Sequence, residues 1–502
     1  MLIFKMRKMK LFYKTIIVLV VFTLVSCGDD FLIQPPRSSL TVGTFPISAD
    51  DAELATNACY NMLRTWQINT GGFPILDMMA DDAVKGSNPG DGIAISVYDK
   101  FEHNAIEGTV ERWYKTVYEA IRRTNLVINE VPKIDMDPSL SDRYVAEARF
   151  MRGYFYSLLT RGFGDVPKVT DINPPLDLGR APVEEILNEI VYPDFEFAAA
   201  ILPLRSEYAE SDLGRITKGT AQSMHARIKL FYGDFNAVET LTKEVIDSDE
   251  YNLVPDYADI FTEVNEHNEE SIFEVGARAE NFINGGNQYG NTQGVRGSPN
   301  KGWGFCRPSY PDLITDYEDN QDPRLDPTVL FAGETLDGIF IDGDSSNPDT
   351  VRVNGQIVEV ECYNQKVWVP GITSLESFAH NRRIIRYADV LLMHAEALNE
   401  NGKSADALFF LNEVRRRARG ANSNILPDIT STNNEELRDA ILNERKYELA
   451  LEGLRFWDLV RTENAAKVLE DKGFTEGKNE LLPLPQSEID ISQGRILQNP
   501  GY

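Results

Sequence analysis

Apolar residues recur every three or four positions along most of the chain, the spacing that places them on one face of an α-helix. In the segment 142–160, for example, Val145, Ala148 and Met151 fall on a common face. The same spacing predicts helices over 50–66, 109–131, 142–160, 182–202, 217–232, 236–248, 386–400, 404–419 and 434–461. Gly402 and Pro203 stand where two of these helices should end. The pattern predicts a mainly α-helical protein.

The predicted helices come in consecutive pairs. Within 388–419, Ala395 and Ala407 lie where a tetratricopeptide repeat places small residues, which let the two helices of a hairpin approach closely. A second pair surrounds the turn Gly233-Asp234. A generic helical bundle is the alternative. We expect tetratricopeptide-like hairpins that form a scaffold.

Residues 262–380 lack this periodicity and are rich in Gly, Asn, Pro, Asp and aromatic residues. Short alternating segments at 339–341 and 351–353 predict a few short strands. Residues 67–108 have a similar composition. Because long loops in compact proteins are usually functional, we expect the scaffold to carry a large irregular, loop-rich face.

The N-terminus combines basic residues with an apolar run over 16–25 and the step Leu24-Val25-Ser26-Cys27. This order is typical of a secretory signal peptide. A Cys at this place is what a bacterial lipoprotein peptidase accepts, so we expect residues 1–26 to be cleaved and Cys27 to be lipidated. The alternatives are an ordinary secretory signal or an uncut anchor. The run is about ten residues, whereas a spanning helix needs about twenty.

The 502 residues carry a net charge of −28. Such a field repels nucleic-acid phosphates and anionic lipid but not neutral ligands such as sugars. Cys59, Cys306 and Cys362 remain beside Cys27, without a CxxC motif, which argues against a disulfide framework or a zinc site. We expect these three cysteines to be buried free thiols. One disulfide bridge among them is the alternative.

The common motifs of catalytic chemistry are absent from the sequence. The chain contains no HExxH, GxSxG or P-loop sequence, and its five histidines show no metal-ligand spacing. His394 and Trp113 are expected in the core. The acidic segment 342–349 has oxygen ligands that suit Ca²⁺ but lacks the pattern of an EF-hand, so a solvated turn is favoured. No cofactor is predicted, and a structural calcium ion is the weaker alternative.

Several motifs together resemble the SusD/RagB family along the whole chain. In the C-terminal half they are RYADVLLM (386–393), AEALN (395–399), LNEVR (411–415), NER (443–445), EGLRFWDL (452–459), LPLPQSEID (482–490) and QNPGY (498–502). EARFMRGY (147–154) and GFGDVP (162–167) match the N-terminal half. Most of this signature is expected to be structural. Glu444, Arg445 and Glu448 share one helical face, where acids and bases pair, and a catalytic role for the two glutamates is disfavoured.

The resemblance implies an organisation and a function. It divides the chain into a signal peptide (1–26), a lipidated tether (27–49), a helical SusD-like region (50–261), a loop-rich ligand-facing region (262–380) and a C-terminal helical region (381–502). Proteins of this family are non-catalytic lipoproteins of the Bacteroidetes outer membrane. They capture glycans at the cell surface for a TonB-dependent, SusC-like transporter, on which they sit as a lid. Asp29 and Asp30 resemble the export signal that sends such lipoproteins to the cell exterior.

The family's ligand typically lies between two loops, here 77–104 and 281–310. Sugar rings stack on aromatic side chains, and sugar hydroxyls need polar partners. The candidate ligand-binding residues carried over from the resemblance are Asp82, Tyr98, Tyr289, Arg296 and Trp303. Two alternatives stay open: RagB-type members are linked to peptide uptake, and a glycoside hydrolase with two carboxylates is the less favoured reading.

Overall fold

The computed structural model describes residues 45–68, 73–87, 90–175, 177–278, 288–297, 302–344, 350–353, 356–370 and 378–502. The predicted signal peptide, Cys27 and Asp29-Asp30 lie outside these residues. Among the described residues, no helix has both the length and the apolarity that a membrane crossing requires.

Helices dominate the described chain, in agreement with the predicted fold class. The helices of the N-terminal half are α1 (Ala49–Leu63), α2 (Phe73–Met78), α3 (Ile93–Asp99), α4 (Gly108–Glu130), α5 (Pro138–Phe163), α6 (Val183–Ile186), α7 (Tyr192–Ile201), α8 (Lys218–Phe231) and α9 (Phe235–Ile246). Those that follow are α10 (Gln288–Gln293), α11 (Asp312–Asp319), α12 (Leu325–Thr328), α13 (Tyr387–Glu400), α14 (Ser404–Arg419), α15 (Asn434–Glu448), α16 (Arg455–Arg461), α17 (Ala465–Val468) and α18 (Gln486–Ile491).

Two helical hairpins correspond to the predicted pairs. α8 packs against α9, α13 packs against α14, and α9 and α13 join the two hairpins side by side. Ala395 and Ala407 are fully buried where α13 meets α14. Gly402, with φ +75°, makes the turn between these helices. The mainly helical scaffold with tetratricopeptide-like hairpins is confirmed.

Two predicted helices are interrupted in the structure. The segment predicted over 182–202 contains a π-helical turn, Leu187–Val191, between α6 and α7, just before Pro193, which has no N–H to donate. The single helix predicted over 434–461 is wrong, because α15 ends at Glu448 and α16 starts at Arg455. Leu451 has φ +61° and Gly453 φ +77°, which no helix accommodates.

The strands are short and lie mostly in the predicted loop-rich region. They are β1 (Ala83–Gly86), β2 (Ser271–Val275), β3 (Phe305–Pro308), β4 (Val329–Phe331), β5 (Thr335–Leu336), β6 (Ile339–Phe340), β7 (Thr350–Val353), β8 (Gln356–Val360), β9 (Cys362–Asn364) and β10 (Arg382–Arg386). Within the described residues they form antiparallel pairs: β1 with β3, β2 with β10, β4 with β9, β5 with β6, and β7 with β8. The two strands predicted at 339–341 and 351–353 correspond to β6 and β7.

One apolar cluster runs from Ala52 in α1 to Ile496 near the C-terminus. Trp113 on α4 is fully buried within it, as predicted. A smaller cluster of Val295, Leu330, Ile341 and Tyr363 underlies the loop-rich region. The helical scaffold thus has the main core, and the loop-rich region has a small core of its own.

Candidate functional site

The β1–β3 ribbon brings the two predicted ligand loops together. Ala83 pairs with Pro308 and Gly86 with Phe305, so the segment after β1 lies beside the segment before β3. The Ser87 N–H donates to the Gly304 carbonyl at 2.7 Å. A Cβ on Gly86 would lie 2.4 Å from that same carbonyl, so only glycine permits this approach.

Arg296 lies at the centre of this junction. Its Nη1 is 2.6 Å from Oδ2 of Asp91, and its Nε is 2.6 Å from Oδ2 of Asp344. Nη1 also donates to the Ser87 hydroxyl and, at 3.3 Å, to the Trp303 carbonyl. The hydrogen bond from Arg296 lowers the pKa of the Asp91 carboxyl. One guanidinium therefore ties together three segments that are far apart in the sequence.

The charges of this junction remain accessible to solvent. The Arg296 side chain is 25% exposed and that of Asp91 is 44% exposed, whereas Asp344 is nearer to buried at 14%. Guanidinium and carboxylate groups at such a surface present both donors and acceptors to a polar ligand.

Trp303 is fixed through its backbone. Its N–H donates to the Asn291 carbonyl at 2.7 Å, and the neighbouring Gly302 bridges to Arg296. The side chain is partly exposed, and within the described part of the chain its indole makes no hydrogen bond and no ring contact. The backbone of Trp303 is therefore fixed against Arg296, and its partly exposed indole is an accessible aromatic surface of the same junction.

The other three predicted ligand residues lie in the interior. Asp82 is fully buried, and its Oδ2 accepts the N–H of Leu451 at 3.0 Å. Tyr98 is fully buried, donates to the Glu107 carboxylate and stacks on His103 with ring centroids 5.0 Å apart. A buried side chain has no surface for a ligand from solution, so neither residue enters the binding surface proposed below.

Tyr289 is also interior, at 6% exposure. The Arg382 guanidinium lies 5.0 Å from its ring centroid, and its hydroxyl donates to the Leu451 carbonyl at 3.4 Å. These contacts give the ring a packing role. Of the five predicted residues, the structure brings together Arg296 and Trp303 at a surface.

Sequence reasoning missed Asp344 as a member of this junction. The acidic segment was predicted as a solvated turn, yet Asp344 pairs with Arg296, and its N–H donates to Oε1 of Glu361 at 2.6 Å. Residues 345–349 of the segment lie outside the described residues. The available signal was charge complementarity between an acidic loop and an arginine in an aromatic- and amide-rich segment.

A second aromatic side chain lies in the same loop-rich region. Trp368 is partly buried, packs against the small core of that region, and donates from Nε1 to Oδ2 of Asp337 at 2.7 Å. Its ring is held by apolar packing and by this hydrogen bond. Trp368 therefore stabilises the loop-rich region.

The glutamates of the C-terminal signature form a buried ion cluster, here called the Glu448 cluster. Oε2 of Glu448 is 3.0 Å from Nη1 of Arg324, and Oε1 is 3.0 Å from Nη1 of Arg386. Arg417 also pairs with Glu448, and Glu444 lies 2.7 Å from Arg324. Burial opposes ionisation, but the three guanidiniums outweigh it and lower the pKa of Glu448. The glutamates are paired, as predicted, but the predicted pairing with Arg445 is wrong, because Arg445 pairs with Asp389 and Asp458 instead.

Other chemistry-bearing side chains are held in the core. His394 is 4% exposed, and its Nδ1 lies 2.8 Å from the Thr242 hydroxyl, as expected for a satisfied core histidine. Cys59, Cys306 and Cys362 are buried free thiols. In the described ranges, no group of three or more His, Cys, Asp or Glu side chains is arranged to hold a metal ion.

Two family models match the chain. The model described as SusD family matches residues 269–502, and the model described as starch-binding associating with outer membrane matches residues 78–230. The SusD-like protein P2 of Formosa agariphila is 26% identical over 516 aligned residues, which cover 98% of this chain and 99% of that protein. SusD-like protein P25 of the same organism is 27% identical and covers 95% of this chain and 96% of that relative.

Solved structures share the fold over nearly the whole length. A laminarin-binding SusD-like protein is 26% identical, has a TM-score of 0.76, and covers 91% of this chain and 100% of its own. A SusD homolog from Bacteroides thetaiotaomicron has a TM-score of 0.80 at 22% identity and covers 93% of this chain and 99% of its own. Surface glycan-binding protein A from the same species, solved with laminarihexaose, has a TM-score of 0.76 at 24% identity and covers 90% and 99%.

Proposed function

The chain belongs to the SusD/RagB family, and from this premise we propose that it captures oligosaccharides at the cell surface, around Arg296 and Trp303. It passes them to a SusC-like TonB-dependent transporter without chemical change. The observation that carries the proposal is the junction of the two ligand loops, where a partly exposed indole lies beside a solvent-accessible guanidinium and carboxylate. The laminarin-binding relative supports a glycan as the ligand class.

The junction suits the chemistry of a neutral sugar. The Trp303 indole can cover the apolar C–H face of a pyranose ring. Arg296 can donate to hydroxyl oxygens, and the carboxylates of Asp91 and Asp344 can accept from hydroxyl protons. Because Arg296 already holds both carboxylates, these groups are positioned before the ligand arrives, which reduces the ordering cost of binding.

The same geometry supports a non-catalytic role. Glycoside hydrolysis requires one carboxylic acid that stays protonated near neutral pH and a second carboxylate opposite it. At this junction both carboxylates are paired with Arg296, and the pKa of Asp91 is lowered rather than raised. Glu444 and Glu448 are both paired with the buried Arg324. Capture and delivery therefore fit these groups better than hydrolysis.

Location and partner complete the proposal. Lipidation of Cys27 holds the protein on the outer membrane, facing the exterior, and the TonB-dependent transporter is its partner. The description of the second family model as associating with outer membrane supports this location. Labelled palmitate should enter the wild type but not Cys27→Ala, and proteinase added to intact cells should digest the protein. Its co-purification with a SusC-like transporter from solubilised membranes tests the partner.

Calorimetry on residues 28–502 tests the ligand, with laminarin and other polysaccharides in one set and oligopeptides in the other. We expect saturable binding to a polysaccharide and a loss of at least about fivefold in affinity for Trp303→Ala, since stacking on an aromatic ring contributes on the order of 1 kcal/mol or more. Phe409→Ala is the matched control, because Phe409 is an aromatic residue 58% exposed on α14.

Either of two results would contradict the proposal. If oligopeptides bind and none of the polysaccharides does, the protein would be assigned to peptide uptake. Glycan binding that is equal in the wild type and in Trp303→Ala would keep the function but remove the ligand from this junction.

A further inference from the structure

Arg161, in the last turn of α5, is a buried arginine without the carboxylate partner that comparable buried arginines have in the described part of the chain. It is 5% exposed, and its Nε donates to the Ser157 carbonyl at 3.0 Å. Among the described residues its two terminal nitrogens make no hydrogen bond, and no carboxylate pairs with it. Arg152 and Arg227, equally buried, each pair with an aspartate at 2.7 Å. A buried guanidinium without a counter-charge is costly unless a ligand supplies one.

The guanidinium lines a cleft of about 520 Å³ between α5, α8 and the C-terminal segment. This volume is within the range of small-molecule sites. The other lining residues that matter here are Thr160, Phe231, Tyr232 and Val183. The Arg161 guanidinium lies 5.0 Å from the Trp457 ring centroid and 5.8 Å from that of Phe231, so aromatic packing fixes its orientation.

Arg180 also lines the cleft but is already satisfied. It donates to the carbonyls of Phe163, Asp165 and Leu497 and to the side chain of Asn499. Of these two arginines, Arg161 is therefore the one whose terminal N–H groups can donate to a ligand.

We propose that this cleft binds the carboxylate of a uronic acid, as a ligand position separate from the Arg296–Trp303 junction. The planar guanidinium matches a carboxylate with two parallel hydrogen bonds. The partly buried rings of Phe231 and Tyr232 give the sugar an apolar wall. Asp165 and Glu480 at the cleft repel additional negative charge, so one carboxylate is selected over a polyanion.

Calorimetric titration of residues 28–502 with D-glucuronate, D-galacturonate and D-glucose tests the inference. We expect a uronate to bind saturably and glucose not to bind. Arg161→Gln should weaken the uronate at least about tenfold, the usual effect of losing a charged hydrogen-bond donor. Arg122→Gln is the control, since Arg122 is an exposed arginine on α4, and it should leave uronate binding unchanged.

Because Arg161 packs on Trp457, Arg161→Gln could fail to fold. Val183→Phe, at a partly buried position of the cleft, keeps Arg161 and fills the space, and it should also weaken uronate binding. Trp303→Ala should leave uronate binding unchanged, so a failure of this inference and a failure of the proposed function are distinguishable.

Three outcomes would overturn the inference. One is equal binding of glucose and glucuronate, since the carboxylate would then contribute nothing. Another is uronate binding that survives both Arg161→Gln and Val183→Phe. The third is displacement of glucuronate by an equal concentration of acetate. The cleft would then bind a carboxylate but not recognise the sugar.

Discussion

The carboxylate of Asp82 accepts the backbone N–H of Leu451 at 3.0 Å, across 369 positions of the sequence. Asp77 does the same for the N–H of Gly453 at 2.7 Å. Both donors belong to the turn that separates α15 from α16. Two buried carboxylates of the N-terminal half therefore fix a break in a C-terminal helix.

Replacing Asp82 tests this contact. Asp82→Ala leaves the Leu451 N–H buried without an acceptor, so we expect the free energy of unfolding to fall by about 2–4 kcal/mol. Asp82→Asn keeps an oxygen acceptor and should cost about 1 kcal/mol. Urea unfolding at pH 7 measures both, with the exposed Asp135→Ala as the control. Equal losses for the two Asp82 variants would mean that the hydrogen bond contributes little.

The same carboxyl should make stability depend on pH. Burial, followed by the charge of Asp81, raises the pKa of Asp82 to about 6, above the value of about 3.9 in an unfolded chain. A raised pKa in the folded state gives a contribution that is complete below about pH 4 and is lost as the pH rises through 6. We expect the wild type to lose stability relative to Asp82→Asn as the pH rises from 4 to 7, so that the cost of the substitution is smaller at pH 7 than at pH 4. Parallel curves for the two proteins over this range would contradict it.

Glu448 should be required for stability rather than for chemistry. Glu448→Gln removes the negative charge that three buried guanidiniums share, and breaking such a cluster costs about 3–5 kcal/mol. Glu318→Gln, at an exposed position of α11, is the control. Chemical unfolding gives the loss, and calorimetry under native conditions should show unchanged ligand affinity in the folded fraction. A stable variant would contradict the structural role of the cluster.

The α13–α14 hairpin should not tolerate a larger side chain at Ala407. This residue is fully buried against α13, so Ala407→Leu overpacks the contact and should cost about 1–3 kcal/mol. Ala405→Leu makes the same change at an exposed position of α14 and should cost little. Thermal unfolding followed by circular dichroism compares the two variants. An equal loss of stability in both variants would mean that leucine destabilises α14 itself, and not its packing against α13.

The helices were largely predictable because their pattern is local. The helix predicted over 404–419 has the bounds of α14, and that predicted over 386–400 differs from α13 by one residue. The break after Glu448 was not predictable from apolar spacing, because that spacing continues through it. The acceptors that stabilise it, Asp77 and Asp82, lie far away in the sequence.

The two loops of the candidate site were predictable from the resemblance, but the side chains that reach its surface were not. Tyr98 and Trp303 stand in predicted loops of similar composition, yet Tyr98 lies in α3 and is buried against His103, whereas Trp303 is partly exposed. Burial depends on strand pairing, here of β1 with β3, between segments more than two hundred residues apart. Aromatic and amide composition predicts that a loop can bind a sugar, but it does not tell which ring points outwards.

The Glu448 cluster also fastens the base of the loop-rich region to the helices. Arg324 contributes to it, and Lys366 reaches the Ala450 carbonyl and the Glu452 carboxylate, each at 2.8 Å. Both cations precede or follow the outer loops rather than belonging to their tips. The outer loops can therefore change in sequence without losing their attachment to the helices, provided that the positive charges of Arg324 and Lys366 are kept.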